Sequence, residues 1–242
     1  MYAWKTIRAF CVILLLLPLI HLAILVGQES IATLDDSPLA WQHEVDRYIQ
    51  LDERTALPAN PVVVIGGRRA SLWPQLEATV SPMPLLIRTL GNATVNDFIH
   101  YHERLVSFYR PAAVVLVPGP SEFHLRANHS ADKLTAAIQH LVALDSRVSS
   151  QRRFYVLAPI RSPLHSADWP TIDAVITALA DWSVDHPAFE LIDPNPLLAN
   201  ASGTPDSRYF RSGGVHLNAA GYLRLDLLLQ QALREDFPTK FH

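Results

Sequence analysis

Five short apolar segments recur between residues 61 and 193, and each is followed by a stretch with helical periodicity. The segments are hydrophobic at nearly every position, which is typical of strands buried on both faces of a parallel sheet. Parallel strands need crossover connections, and helices usually provide them. The sequence therefore predicts a three-layer α/β/α sandwich around a five-stranded parallel sheet. The strand segments are 61–66, 84–88, 112–118, 153–158 and 188–193, and the helical segments are 71–80, 94–109, 130–148, 168–185 and 217–236.

A lead-in helix and the loops after the strands complete the predicted domain. Apolar side chains near helical spacing predict a packing helix that begins after residue 38 and ends near Asp52. In open parallel sheets the functional site lies beyond the carboxyl ends of the strands. We therefore expect functional side chains in the segments that follow the strands, namely 66–70, 89–93, 119–124, 159–167 and 194–216.

An uncharged apolar segment of 19 residues, 9–27, precedes this domain. It is long enough to cross a bilayer as a single helix. Lys5 and Arg8 precede it and acidic residues follow it. The positive-inside rule then places the N-terminus in the cytoplasm and the domain outside it, in the periplasm if the source is bacterial. The predicted organisation is a single-pass membrane anchor at 1–27, a tether at 28–37 and a globular domain at 38–242, with a cleaved signal peptide as the alternative to the anchor.

The cysteine content and the charge exclude several kinds of site and partner. Cys11 is the only cysteine and lies within the apolar segment, which rules out an intrachain disulfide and a cysteine-based metal site. The formal net charge of −3 argues against a nucleic-acid partner. The spacing of His100, His102, His124 and His129 is not that of metal ligands, so we expect solvated surface histidines. The sequence thus predicts no metal and no cofactor.

Three stretches resemble the conserved blocks of the SGNH, or GDSL-type, hydrolases. The most specific is "YFRSGGVHLNAAGYLRL" at 209–225, which resembles the last block of that family. "VVVIGGRRASLW" is similar to its first strand and nucleophile turn, and residues 86–123 follow the spacing of its second and third blocks. The resemblance covers about residue 38 to the C-terminus. It implies the flavodoxin-like SGNH fold and, for a complete site, acyl transfer by a Ser, a His and an Asp.

The catalytic positions that the resemblance implies are mostly substituted. Arg68 occupies the position of the nucleophilic Ser, and Gly213 that of the Asp that orients the His. Asn92 stands at the oxyanion glycine and Ser121 at the oxyanion Asn, where a backbone N–H and a hydroxyl can still donate. His216 alone is retained. These substitutions indicate a domain that has lost ester hydrolysis, that is, a pseudoenzyme.

Three functions are compatible with this pattern. The first is an exported, membrane-tethered binding or scaffolding module. In it, Arg68 and Arg69 hold a carboxylate, sulfate or phosphate group, unless one of them pairs internally with Glu122. The second is an active ester hydrolase or acyltransferase with a rearranged site around His216, using Ser71 or Ser121 as nucleophile. The third is a structural subunit of a membrane or envelope complex, whose protein partner binds the apolar anchor helix.

Overall fold

The structure of this chain is a computed structural model that describes residues 37–124 and 129–241 and, near the N-terminus, residues 8, 14 and 16–22. Most of the predicted anchor at 9–27 and of the tether at 28–37 lies outside the described residues. Within the described part, no helix is both long and apolar enough to span a bilayer.

The centre of the domain is a five-stranded parallel sheet with strand order β2-β1-β3-β4-β5. This confirms the predicted fold class, and every strand boundary lies within one residue of its predicted position. β1 and β3 are buried along their whole length, as their uninterrupted apolar sequences require. The strands are β1 (Val62–Gly66), β2 (Leu85–Thr89), β3 (Ala113–Val117), β4 (Arg153–Leu157) and β5 (Phe189–Ile192).

Helices cover both faces of this sheet. The predicted lead-in helix and the three long helices are confirmed. Those four are α1 (Gln42–Asp52), α6 (Ala131–Val148), α7 (Trp169–Ser183) and α8 (Ala219–Asp236); the short helices are α2 (Arg68–Ser71), α3 (Leu76–Val80), α4 (Val95–His100) and α5 (His102–Leu105).

Two predicted helices are wrong as continuous elements. Of the stretch 71–80, only Ser71, which ends α2, and 76–80, which form α3, are helical. Pro74 lies between them and has no backbone N–H for a helical hydrogen bond. The stretch 94–109 breaks at Tyr101 and then ends in a 3₁₀ turn. The residue before Pro111 is disfavoured in the helical region, and Arg110 adopts a left-handed conformation with φ of 47°.

Two hydrophobic clusters fill the space between the layers. On one face of the sheet, alternate strand residues such as Ile65 and Leu116 pack against α1, α4, α6 and α7. On the other face, Val64 and Val115 pack against α2, α3 and α8. The period of two along each strand therefore divides the core between the two layers.

The last residue of β1 approaches the end of β3 very closely. A Cβ atom on Gly66 would lie 2.5 Å from the carbonyl oxygen of Val117 in β3. Only glycine fits this close approach of two backbones. β1 and β3 also flank the point at which the strand order reverses, the usual position of a ligand site in such sheets.

Replacing Gly66 by alanine should therefore destabilise the domain. The added methyl group must displace the backbone of β3, and overpacking of this kind costs about 1–3 kcal/mol. The measurement is the urea midpoint at constant m-value. Gly213→Ala is the control, because its Cβ would meet nothing within 4 Å. Equal midpoints for the two variants would show that the turn can move away from β3.

Candidate functional site

The turn after β1 carries both arginines of the motif, and the structure places them in different surroundings. Arg68 is exposed at the start of α2, whereas Arg69 is only 2% exposed. Successive residues of a helical turn point about 100° apart, and here Arg69 faces the interior while Arg68 faces outwards. Arg69, rather than the residue at the nucleophile position, therefore brings a positive charge into the protein.

The Arg69 guanidinium is buried with few partners. Its Nη1 donates to the carbonyl oxygen of Pro118 at 3.0 Å, across the gap between β1 and β3. Its Nε is buried without a hydrogen-bond partner, and no carboxylate of the described residues forms an ion pair with it. Burial lowers the pKa of Arg69 to about 10, so the side chain is still protonated at neutral pH.

The alternative in which an arginine pairs with Glu122 is wrong. The buried Glu122 carboxylate accepts the backbone N–H of Val95 at 2.9 Å and contacts Nδ1 of His129 at 3.1 Å. Burial raises the pKa of Glu122, although His129 opposes this effect. Glu122 thus fixes the start of α4 and does not form an ion pair with either arginine of the turn.

His216 lies in the loop that leads into α8, and it lacks the orienting carboxylate of a catalytic triad. Its Nδ1 is buried with no hydrogen-bond partner in the described part of the chain. Gly213, at the position of the family's Asp, is exposed. Burial lowers the pKa of His216, and the positive charges of Arg69, Arg68 and Arg211 lower it further. His216 is therefore neutral at pH 7. Arg211 was not among the predicted site residues, although it lies within the family-like block at 209–225.

The two serines considered as nucleophiles bond to backbone carbonyls. The hydroxyl of Ser71 is exposed and donates to the carbonyl of Arg68 at 2.9 Å. The hydroxyl of Ser121 is buried and donates to the carbonyl of Ala93 at 3.4 Å. Neither of them forms a hydrogen bond with His216 among the contacts of the described residues. The structure thus does not assemble a serine–histidine pair.

Asn92 lies in the turn after β2, which is in contact with the turn after β1. A Cβ on Gly67 would lie 3.0 Å from the carbonyl oxygen of Gly91 and 3.3 Å from that of Ala93. Asn92 itself is half-buried. The turns after β1 and β2 and the segment after β3 therefore meet at one edge of the sheet, where the sequence placed the functional side chains.

Solved structures of lipases and esterases share this architecture. A GDSL-like lipase from Bacteroides thetaiotaomicron superposes with a TM-score of 0.64 at 16% identity, covering 79% of this chain and 98% of that one. The chain has the SGNH-hydrolase fold. A lipase/acylhydrolase from Enterococcus faecalis gives 0.56 at 15% identity, covering 73% and 96%. A variant of an acetyl-xylooligosaccharide esterase from Geobacillus gives 0.57 at 14%, covering 74% and 94%. No protein-family model matches the sequence, and no curated protein does.

Positive charge around His216 disfavours the protonated form of this histidine. In a Ser-His-Asp mechanism the His becomes an imidazolium in the transition state, and the Asp stabilises it. Here three arginine charges destabilise that imidazolium, and the Nδ1 that an Asp would bind is unpaired. Loss of the orienting Asp alone lowers turnover by about 10⁴ in the well-studied triads.

Another Ser, His and Asp form a hydrogen-bonded group at the opposite end of the strands. His102 contacts Ser107 Oγ through Nδ1 at 3.1 Å and Asp145 through Nε2 at 3.0 Å. Arg152, which immediately precedes β4, forms an ion pair with the same carboxylate at 2.5 Å. Because Asp145 is neutralised by Arg152 and the group lies at the amino ends of the strands, we interpret it as a stabilising network.

His102 and His129 correct the prediction of solvated surface histidines. Both side chains are less than 10% exposed, and each is paired with a buried carboxylate. Their partners lie 43 and 7 residues away in sequence, on other elements, so the local pattern around each histidine does not reveal them. His100 is exposed, as predicted.

The pKa of His216 should rise when a neighbouring arginine is neutralised. Arg69→Gln removes the largest of the three charge effects and Arg68→Gln the next, so we expect the larger rise for Arg69→Gln. Imidazole chemical shifts followed by NMR against pH give both values. The exposed Arg54→Gln is the control and should leave the titration unchanged.

The sign of the pH effect on folding follows from the same shift. Since folding lowers the pKa of His216 below its unfolded value of about 6.5, the unfolded chain binds more protons just below that pH. As the pH falls from 6.5 to the folded pKa, His216 therefore lowers the free energy of unfolding. Arg69→Gln should raise the folded pKa and so narrow this pH range. An unchanged titration in Arg69→Gln would contradict the proximity of the two side chains.

Proposed function

We propose that this SGNH-fold domain binds a negatively charged group beside His216 and does not hydrolyse esters. The observation that carries the proposal is the set of charges acting on His216. Three arginines, namely Arg69, Arg68 and Arg211, lower its pKa, and no carboxylate among the described residues acts in the opposite direction. A positive potential that repels a proton from an imidazole attracts an anion to the same place.

The buried Arg69 supports this proposal on energetic grounds. A charge without a partner in the interior is unfavourable by several kcal/mol. The drop of its pKa from 12.5 to about 10 corresponds to about 3 kcal/mol against the charged form. A bound anion would offset that penalty, because the attraction between opposite charges is strong where water is excluded.

The exposed side chains indicate how the ligand would be held. Arg68 and Arg211 are exposed and His216 is half-buried, so these three can touch a ligand, while Arg69 acts through its field. Arginine favours carboxylate, sulfate and phosphate groups because its N–H groups match pairs of anionic oxygens. We therefore propose a ligand that carries one of these groups.

The N-terminal segment suggests where the ligand is found. We propose that residues 9–27 anchor the chain in a membrane with the N-terminus in the cytoplasm, as the charge distribution around that segment predicts. The domain would then meet anionic components of the cell envelope, in the periplasm if the source is bacterial. Its role is binding or scaffolding at that surface.

Binding of a small anion tests the central claim. Titration of the full chain in detergent with inorganic sulfate and phosphate by calorimetry should show binding that Arg211→Gln weakens at least about tenfold, or 1.4 kcal/mol. Arg54→Gln should bind as the wild type does. Binding that all variants retain would place the anion elsewhere.

Arg69→Met separates a ligand-binding role from an internal structural role. If the charge serves a ligand, the variant should bind anions more weakly while its thermal midpoint without ligand stays equal or rises, because an unpaired buried cation has been removed. A variant with a lower midpoint and unchanged anion binding would show that Arg69 is a structural plug.

An ester assay tests the loss of hydrolysis. The wild type should hydrolyse 4-nitrophenyl acetate no faster than His216→Ala does, because the chain combines an arginine at the nucleophile position with an unpaired His216 Nδ1. Hydrolysis that His216→Ala abolishes would instead establish the active hydrolase with a rearranged site. Replacing Ser71 and Ser121 by alanine would then identify its nucleophile.

A further inference from the structure

Two histidines and an aspartate converge on the loops after β3 and β4. His124 follows the 3₁₀ turn after β3, and His165 and Asp168 lie in the loop between β4 and α7. Nε2 of His124 lies 2.6 Å from Oδ2 of Asp168, and the two imidazole rings are 4.3 Å apart between centroids. One ligand atom from each residue lies within 4.8 Å of the other two. We call these three residues the His–Asp cluster.

The three ligand atoms lie close enough together to share one small metal ion. Zinc binds His nitrogen at about 2.0–2.1 Å and carboxylate oxygen at about 2.0–2.2 Å. Ligand atoms at tetrahedral angles around such an ion are about 3.3–3.6 Å apart. The ligand atoms of the cluster all lie within 4.8 Å of one another, and His124 Nε2 and Asp168 Oδ2, at 2.6 Å, would move apart by about 1 Å to take that spacing. Within the described part of the chain, the His165 ring has no hydrogen-bond partner and its nitrogens stay available.

The loop that holds two of the three ligands is itself fixed by hydrogen bonds. The hydroxyl of the buried Ser162 accepts a hydrogen bond from the backbone N–H of His165 at 3.3 Å. The backbone carbonyl of Ser162 accepts one from the indole N–H of Trp169 at 2.9 Å. The backbone N–H of Asp168 donates to the carbonyl of His165 at 3.2 Å. Both ligands therefore sit on a preformed turn at the start of α7, as a metal centre requires.

We propose that His124, His165 and Asp168 bind a divalent transition-metal ion, with zinc as the best match. Two imidazole nitrogens and one carboxylate suit zinc, whereas calcium and magnesium take oxygen ligands. Three protein ligands leave the fourth position of a tetrahedral zinc open for water or an anion. This proposal is independent of the anion site beside His216.

The His–Asp cluster borders the loop of His216. The backbone N–H of Leu164, next to His165, donates to the carbonyl of Gly214, two residues before His216, at 3.4 Å. A metal here would cross-link the loops after β3 and β4 and stiffen the rim of the anion site. The sequence predicted no metal because His124 lies 41 residues before His165, on a different loop, and was interpreted as a surface histidine.

Metal titration of the full chain tests the proposal. Chain treated with a chelator and then titrated with Zn²⁺ by calorimetry should bind one equivalent. His165→Ala and Asp168→Asn should each weaken that binding at least tenfold. Co²⁺ in place of Zn²⁺ should produce the visible absorption of a tetrahedral complex, and both variants should lose it. His140→Ala, an exposed histidine on α6, is the matched control and should bind as the wild type does.

Thermal unfolding keeps the test valid if a variant is poorly folded. Zn²⁺ should raise the midpoint of the wild type and of His140→Ala, and should leave that of Asp168→Asn unchanged, because only a site present in the folded state stabilises it. Equal midpoints of all three chains without metal show intact folding. Absence of Zn²⁺ binding, or binding that both cluster variants retain, would reduce the cluster to an ion pair between His124 and Asp168 and overturn the proposal.

Discussion

The close contact between the turn after β1 and the end of β3 is the constraint on which the candidate site depends. Gly66 has no side chain because the Val117 carbonyl occupies the space where a Cβ would lie. This contact brings α2 to the switch point of the sheet and puts Arg69 within hydrogen-bond distance of Pro118. The position of the charge is thus set by how closely two backbones pack, before any side-chain interaction is considered.

The same charge acts on the histidine at the carboxyl edge of the sheet. The scaffold still delivers a histidine to the carboxyl edge of the sheet, but the field there has the wrong sign for its protonation. A base must accept a proton to be useful, and positive neighbours make that harder. An anion at the same place would meet a donor-rich surface. Three arginines thus place positive charge around His216.

The fold was largely predictable, because five short, uninterrupted apolar segments that alternate with helical patterns are typical of the strands of a parallel sheet. The pattern of apolar residues that identifies a buried strand is contained within a few consecutive residues. The wrong predictions concern side chains whose surroundings depend on residues distant in sequence or on the exact direction in which the side chain points. The sequence could not show which arginine of the turn points inwards, since a rotation of about 100° separates them. Likewise, the partners of His124 and His129 lie on other elements.

The hydroxyl of Tyr222, on the last helix, donates to the backbone carbonyl of Arg69 at 2.8 Å. The turn is therefore held from both sides, by β3 and by α8, through contacts with its backbone. Neither contact uses the side chain at position 68. The backbone of the turn would therefore keep its position whichever side chain stood at residue 68.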